Sequence, residues 1–432
     1  MSDTPSPPVL SGLKIVDLTT FLSGPSATQL LADLGAEVIK VESLGGDSSR
    51  DIAGPSVDGT SAYYLANNRN KRSIAIDLKS PRGLDVMKRL IAQADIVVEN
   101  FRPGVCRRLG LDPHALTREH PALIWASISG FGQDGPWRDR PAYDMVVQAL
   151  SGVMSLTGHP GAPAARLGIP AGDVVAGLYA VIGILGAVVA RQHSGAGRIV
   201  DVSMLRGQLA MLSYQAVYAS VTGEAPGPQG AGHDSIATYR SFRGGDGREF
   251  VVTANTPRMW EGLCRTLGLE HLVHDERFAD AAARLRNKQA LWALLQARFD
   301  ELPAADWVER LTEASVPVAP VKNVTEALAD AREADDGSLV TVQRDEASFV
   351  NVATPIRFLQ TQDVAPVYPP ELGGDTVAIL TQDLGLGEED VDALIADGVV
   401  IADGRAPTPR PETASDSGRS APPAAPQPAL RG

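Results

Sequence analysis

From Leu13 to Ser129 the apolar positions keep two alternating rhythms. Leu13-Lys-Ile-Val-Asp-Leu-Thr19 alternates and is rich in β-branched side chains, the pattern of a strand. A short loop, Thr20–Gly24, leads to Pro25, a favoured first helical residue. Ser26–Leu34 places Leu30, Leu31 and Leu34 on one helical face, and Gly35 supplies a stop. Glu37–Glu42 is the next strand. So compact a strand–helix–strand unit implies a parallel sheet. The rhythm repeats with strands at Arg72–Leu78, Asp95–Asn100 and Leu123–Ser129, and helices at Pro81–Ala94 and Pro113–Glu119. This predicts a Rossmann-like, doubly wound α/β domain that binds its ligand beyond the carboxyl ends of the strands. Those ends are Thr19–Gly24, Glu42–Arg50, Asn100–Gly104 and Gly130–Tyr143.

The longest apolar run begins at a carboxylate. Asp173 precedes seventeen uncharged residues, Val174–Ala190, which Arg191 closes. An Asp side chain accepts hydrogen bonds from the orphan amides of a helix start, and the partial positive charge there favours an anion. The run therefore predicts a helix with Asp173 as its N-cap. The same carboxylate, at the edge of a dry core, is also available as a nucleophile. Val174–Ala190 sits at the short limit for a bilayer span, and Gly177, Gly183 and Gly186 suit close packing. A core helix, and no membrane partner, is the expectation.

Beyond it, Arg198–Ser203 is a strand and about Leu205–Thr222 one helix. Gly223–Gly232 is dense in Gly and Pro and has the composition of an interdomain linker. Ala237–Phe242 and Glu249–Thr253 look like strands, Arg258–Leu267 and Asn287–Phe299 like helices, and Ser315–Lys322 is extended. Glu388–Asp397 is helix-like, and from Ala402 a run of Pro, Ala, Ser and Arg predicts a disordered tail.

Charge and cysteine content narrow the function classes. The 432 residues carry 39 Lys and Arg against 52 Asp and Glu, a net charge of −13. That disfavours nucleic acid or an anionic membrane as partner, though it leaves room for a local basic pocket. Cys106 and Cys264 make neither a disulfide framework nor a metal-ligand spacing, and they suit small packing positions. Met1–Leu10 has no basic or apolar leader pattern, so the expected location is the cytoplasm.

Candidate chemistry is sparse. The first βα loop has Gly24 but no G-x-G-x-x-G, which argues against a nicotinamide dinucleotide; Glu42 reads as an ordinary strand-end carboxylate. None of the seven histidines falls in an H-E-x-x-H or H-x-H pattern, and there is no G-x-S-x-G. Lys71, Arg72, Lys79, Arg102, Arg107 and Arg108 flank strand ends. They suit phosphate groups or a plain solvated basic face.

Several ordered motifs nevertheless stand out together. They are Leu10-Ser-Gly-Leu-Lys-Ile-Val-Asp-Leu-Thr19, Gly24-Pro25, Leu34-Gly-Ala-Glu-Val-Ile-Lys-Val-Glu42 and Asn68-Arg-Asn-Lys-Arg-Ser-Ile-Ala-Ile-Asp-Leu-Lys79. Val98-Glu-Asn-Phe-Arg-Pro-Gly104, Gly130-Phe-Gly-Gln-Asp-Gly-Pro136, Ala142-Tyr-Asp144, Gly172-Asp173 and Gly177-Leu-Tyr179 follow. From about residue 10 to Val400 the chain resembles the class III coenzyme A transferases, which include formyl-CoA transferase and carnitine CoA-transferase and are related to α-methylacyl-CoA racemase. The resemblance implies a large Rossmann-like CoA-binding domain over residues 10–222, a linker at 223–235 and a small α/β domain at 236–325. The chain then returns to the large domain over 326–401, with the tail at 402–432 outside. It also implies an interlocked homodimer.

The resemblance further implies that Asp173 is the nucleophile, acting through an aspartyl mixed anhydride and an enzyme–CoA thioester. No cofactor is permanently bound; a CoA thioester and a carboxylic acid are the substrates. By position, Ser23 lines the CoA cleft, Ile76 to Lys79 flanks the adenosine end, and Asn100, Phe101 and Arg108 contact CoA. Arg72 belongs to the same basic set, Tyr143 lies near the thioester, and Gly232 lies in a stretch matching a mobile loop over the nucleophile. The racemases have His where this chain has Tyr143. Formyl-CoA transferase has His and Gln where Thr20 and Leu22 stand, and Arg at Ser43. Ser235-Ile-Ala-Thr-Tyr239 looks more like members that move CoA between succinate and other dicarboxylates.

Overall fold

The computed structural model describes residues 5–402; the tail expected from 402 lies, after its first residue, outside the described residues. Six parallel strands form the main sheet: β1 (Lys14–Asp17), β2 (Glu37–Glu42), β3 (Lys71–Ile76), β4 (Ile96–Glu99), β5 (Ile124–Ser129) and β6 (Ile199–Ser203). Their spatial order is β3-β2-β1-β4-β5-β6. The chain winds outward from β1 in both directions, so the crevice between β1 and β4 is the switch point where such sheets hold ligands. A last short strand, Val400–Ile401, returns antiparallel to β3, pairing with Ile76 and Ala75.

Alternation along the strands sends side chains to two cores. On one face Ile15, Val38, Ile96 and Ile124 pack with Ala27 and Leu31 of helix α1 (Ser23–Asp33). On the other, Val16, Val41, Ile74, Val97 and Trp125 pack with Val86, Leu90 and Ile91 of helix α2 (Pro81–Gln93). Residues of 237–316 enclose a separate core around Phe250, Trp260, Phe299 and Trp307, backed by a three-stranded antiparallel sheet.

The remaining elements that position the site are helices α3 (Asp144–Leu150), α4 (Ala171–Ser194), α5 (Met204–Met211) and α6 (Tyr214–Thr222). Helix α4 joins the first core through Ala176, Ala180, Ile184 and Ala187. It corrects two expectations. Asp173 is not its N-cap: the helix starts at Ala171, Pro170 occupies the cap position, and Asp173 lies in the first turn. Nor is α4 enclosed. Leu178 is 48% and Ile182 63% exposed, because only one of its sides meets α1 and the sheet. The single helix expected over Leu205–Thr222 is two helices, broken at Ser213, whose φ of 47° is incompatible with continued α-helix.

Gly177 sets the approach of α4 to α1. A Cβ there would stand 2.7 Å from Ser23 O and 2.9 Å from Ser26 Oγ. Gly177→Val is therefore expected to force the helices apart and to cost about 1–3 kcal/mol, read from denaturant unfolding. An unchanged midpoint would refute this account of the contact.

Candidate active site

The close contact at Gly177 brings the first turn of α4 onto the start of α1, at the carboxyl ends of β1 and β4. There the Asp173 carboxylate takes a hydrogen bond from the Ser23 side chain. Asn100, just past β4, ties down the loop that carries Ser23. Its Oδ1 accepts from Thr20 N at 2.9 Å and its Nδ2 donates to Thr20 O at 2.8 Å, with Ser23 Oγ at 3.4 Å. Asp173, Ser23 and Asn100 thus meet at the switch point.

Asp144 ends the Ala142-Tyr-Asp144 motif, and its spacing in the sequence assigns it no role. Its Oδ1 accepts from Gly172 N at 2.7 Å, so it caps α4 from across the fold, the task expected of Asp173. Asp173 is left with a half-buried carboxylate and a second carboxylate nearby. Burial and the Asp144 charge push its pKa up to about 6, against the opposing Ser23 hydrogen bond. Tyr63 is a second residue the sequence did not flag. Burial, then Asp173, Asp144 and Asp47, raise its pKa, so the phenol stays a protonated donor at neutral pH.

The loop itself rests on buried charge. Lys40 Nζ donates to Thr19 O at 2.7 Å and to Asp47 Oδ2 at 2.9 Å. Asp47 Oδ1 accepts from Phe21 N at 3.2 Å, holding Phe21 at a φ of 63°. Lys71 Nζ donates to Asp17 Oδ2, Pro25 O and Asn68 Oδ1. Burial opposes ionisation of Asp17, but Lys71, Lys40 and the Thr19 and Thr28 hydroxyls outweigh it and hold the carboxyl at about 2. For Lys71, burial prevails over Asp17 and lowers the ammonium to about 8. The signal in sequence was the charge inside strand patterns, Asp17, Lys40 and Lys71, which alternation alone leaves unexplained.

The other expected residues scatter around this centre. Tyr143 precedes α3, packs edge-on against Phe21 with ring centroids 6.4 Å apart, and is largely exposed. Phe101 follows Asn100, and its amide donates to Glu99 Oε2. Arg108 Nη1 and Arg138 Nη2 both converge on Gly104, within 3.4 and 3.9 Å of where a Cβ would sit. Beside them a cavity of about 320 Å³ is lined by Arg102, Arg107, His114 and Arg138. Ile76 is buried in the second core, and Lys79 lies exposed just beyond β3. Arg72 is not brought to the centre. It sits at the beginning of β3, pairs with Asp383 at 2.8 Å, and shares a recess with Lys14 and Glu37 at the opening ends of β1 and β2. Gly232 bridges to Arg240 at the edge of the small sheet, and its neighbours there are Gln229, Tyr239 and Arg240.

An α/β fold with one half-buried, elevated carboxylate at its switch point, and arginines close by, is suited to group transfer from an anionic carrier. Comparison with known proteins agrees. The model of CoA-transferase family III matches residues 10–376, and the chain belongs to that family. It is an enzyme of the CoA-transferase class. It is 40% identical to acetyl-CoA:oxalate CoA-transferase of Acetobacter aceti, over 75% of this chain and 84% of that one. With the succinyl-CoA:glutarate CoA-transferase of Homo sapiens it shares 34% identity over 90% of each. The crystal structure of a CAIB/BAIF family protein from Brucella suis superposes with a TM-score of 0.78 at 35% identity, covering 88% of this chain and all of that one.

Two outcomes follow from the charge at Asp173. A carboxylate that attacks a carbonyl must be ionised, so if Asp173 takes that role kcat/KM falls about tenfold per pH unit below pH 6. Asp144→Asn keeps an oxygen for Gly172 N but removes the repulsion, and should move that acid limb to lower pH; an unmoved limb would exclude Asp144 as a cause. The raised pKa also carries a sign for stability. A carboxyl harder to ionise folded than unfolded destabilises the protein once pH exceeds its ordinary value of 3.8, and fully so above about 6. Asp173→Asn is expected to raise Tm at pH 8 and to leave it unchanged below pH 4, measured by calorimetry.

Proposed function

We propose that the protein moves coenzyme A from a small acyl-CoA, succinyl-CoA foremost, to a carboxylic acid, with a dicarboxylic acid as acceptor. The observation that carries the reading is the Asp173 carboxylate, half-buried, elevated to about 6 and hydrogen-bonded by Ser23 in a family III chain. The names of similar proteins support the substrate class: succinyl-CoA:glutarate in Homo sapiens, succinate–glutarate in Agrobacterium fabrum, and succinyl-CoA–D-citramalate in Chloroflexus aurantiacus.

The chemistry balances without an outside energy source. Ionised Asp173 attacks the thioester carbonyl, forming a mixed anhydride and expelling CoA thiolate. The thiolate attacks the aspartyl carbonyl, expelling the donor acid and leaving CoA bound to Asp173 as a thioester. The acceptor carboxylate attacks that carbonyl and displaces the thiolate, which then attacks the acceptor's acyl carbon. New acyl-CoA leaves and Asp173 is restored. Ser23 and protonated Tyr63 supply donors where negative charge collects. The apolar bed of α4 limits the water that would hydrolyse either intermediate.

In this reading the parallel sheet is a Rossmann-like platform, with Arg108 and Arg138 at the CoA phosphates and no resident cofactor. The exposed apolar side chains Met145 and Leu150 of α3, Leu178 and Ile182 of α4, and Val217 and Val221 of α6 support pairing of two copies rather than a membrane span. Buried thiols at Cys106 and Cys264 suit a cytoplasmic enzyme. A racemase is not favoured: Tyr143 has no imidazole to serve as its second acid–base group.

Peptide mass spectrometry after incubation with succinyl-CoA is expected to find CoA on the peptide containing Asp173, lost on treatment with hydroxylamine. Full transfer activity in Asp173→Asn would sink the proposal.

A further inference from the structure

Arg166 stands beside Asp144, the carboxylate next to Asp173, and the steps above make no use of it. Its Nη1 lies 3.9 Å from Asp144 Oδ2, beyond hydrogen-bonding distance. That oxygen already accepts from the Gln148 amide at 2.8 Å. The Arg166 side chain is 47% exposed, so donors of its guanidinium remain open to a ligand.

The backbone next to Arg166 is nevertheless anchored. Gln148, fully buried, accepts from the adjoining Leu167 amide at 2.9 Å and reaches Ile169 O at 3.4 Å. Asp144 holds Gly172, the neighbour of Asp173, at 2.7 Å. A short run of fixed contacts therefore joins the nucleophile to a guanidinium with unused donors. The buried cations of the neighbouring loop are already engaged: Lys40 with Asp47, Lys71 with Asp17, and Arg50 with Glu42.

An acid approaching Asp173 also approaches the Asp144 charge, which repels it. A cation at the far end of the acid offsets that repulsion, and the planar fork of Arg matches a carboxylate with two parallel hydrogen bonds. We infer that Arg166 binds the distal carboxylate of a short aliphatic diacid whose other carboxylate reacts at Asp173, and so sets a preference for diacids over monoacids. The inference rests on the CoA-transfer reading above for the reacting end.

Glutarate and valerate, equal in carbon number, are the probes. Titration calorimetry on the full chain is expected to show glutarate binding that weakens about 10–100-fold in Arg166→Gln, with valerate unaffected and Arg166→Lys partly restoring glutarate. In turnover, KM for glutarate should rise by a similar factor while kcat stays within about twofold. Equal losses for both acids, or no preference for glutarate in the unaltered protein, overturn the inference. An Asp173 adduct with diacid preference intact in Arg166→Gln overturns it while leaving the transfer reading standing. Diacid binding that depends on Arg166, without any Asp173 adduct, overturns the transfer reading and with it the reacting end of the inference, leaving the Arg166–carboxylate contact standing.

Discussion

The approach of α4 to α1 at Gly177 is the contact on which the site depends. Helix α4 carries Asp173 and helix α1 begins at Ser23, and neither residue can reach the other unless the two backbones nearly touch. Any side chain at Gly177 would hold Ser23 away from the carboxylate it hydrogen-bonds. The sheet fixes where this happens, because α1 springs from β1 at the point where strand order reverses.

The loop between β1 and α1 is held by buried ions as well as by the buried Leu18 and Leu22. Lys40, Lys71, Asp17 and Asp47 are all buried, and such groups are costly to desolvate unless fully paired. Each has its partners, and several of those partners are backbone atoms of the loop and of the first turn of α1: Thr19 N and O, Phe21 N and Pro25 O. The directional bonds define one loop conformation, including the left-handed Phe21, where packing alone would tolerate several. The active centre inherits that rigidity.

Electrostatics then divides labour between two carboxylates. Asp144 spends its hydrogen-bonding capacity on Gly172 and Gln148 and stays structural. Asp173, freed from capping, is left less well solvated and near a like charge, which raises its pKa. A site built this way destabilises its own fold slightly, a common feature where chemistry takes place.

The local periodicities determined a good deal. Alternation and helical spacing located the six parallel strands and helices α1, α2 and α4, because burial of one face imposes a repeat that single residues report. The ordered motifs carried the family, and the family match over residues 10–376 agrees with that. Tertiary structure alone decided the rest. That Asp144 caps α4, that Tyr63 feels the charge of Asp173, that Arg166 stands by Asp144, and that Arg72 turns instead to Asp383 all depend on segments brought together from far along the chain. Periodicity reports which side of an element is buried; it carries no information on which distant side chain will meet that side, and a carboxylate's role is set by that neighbour.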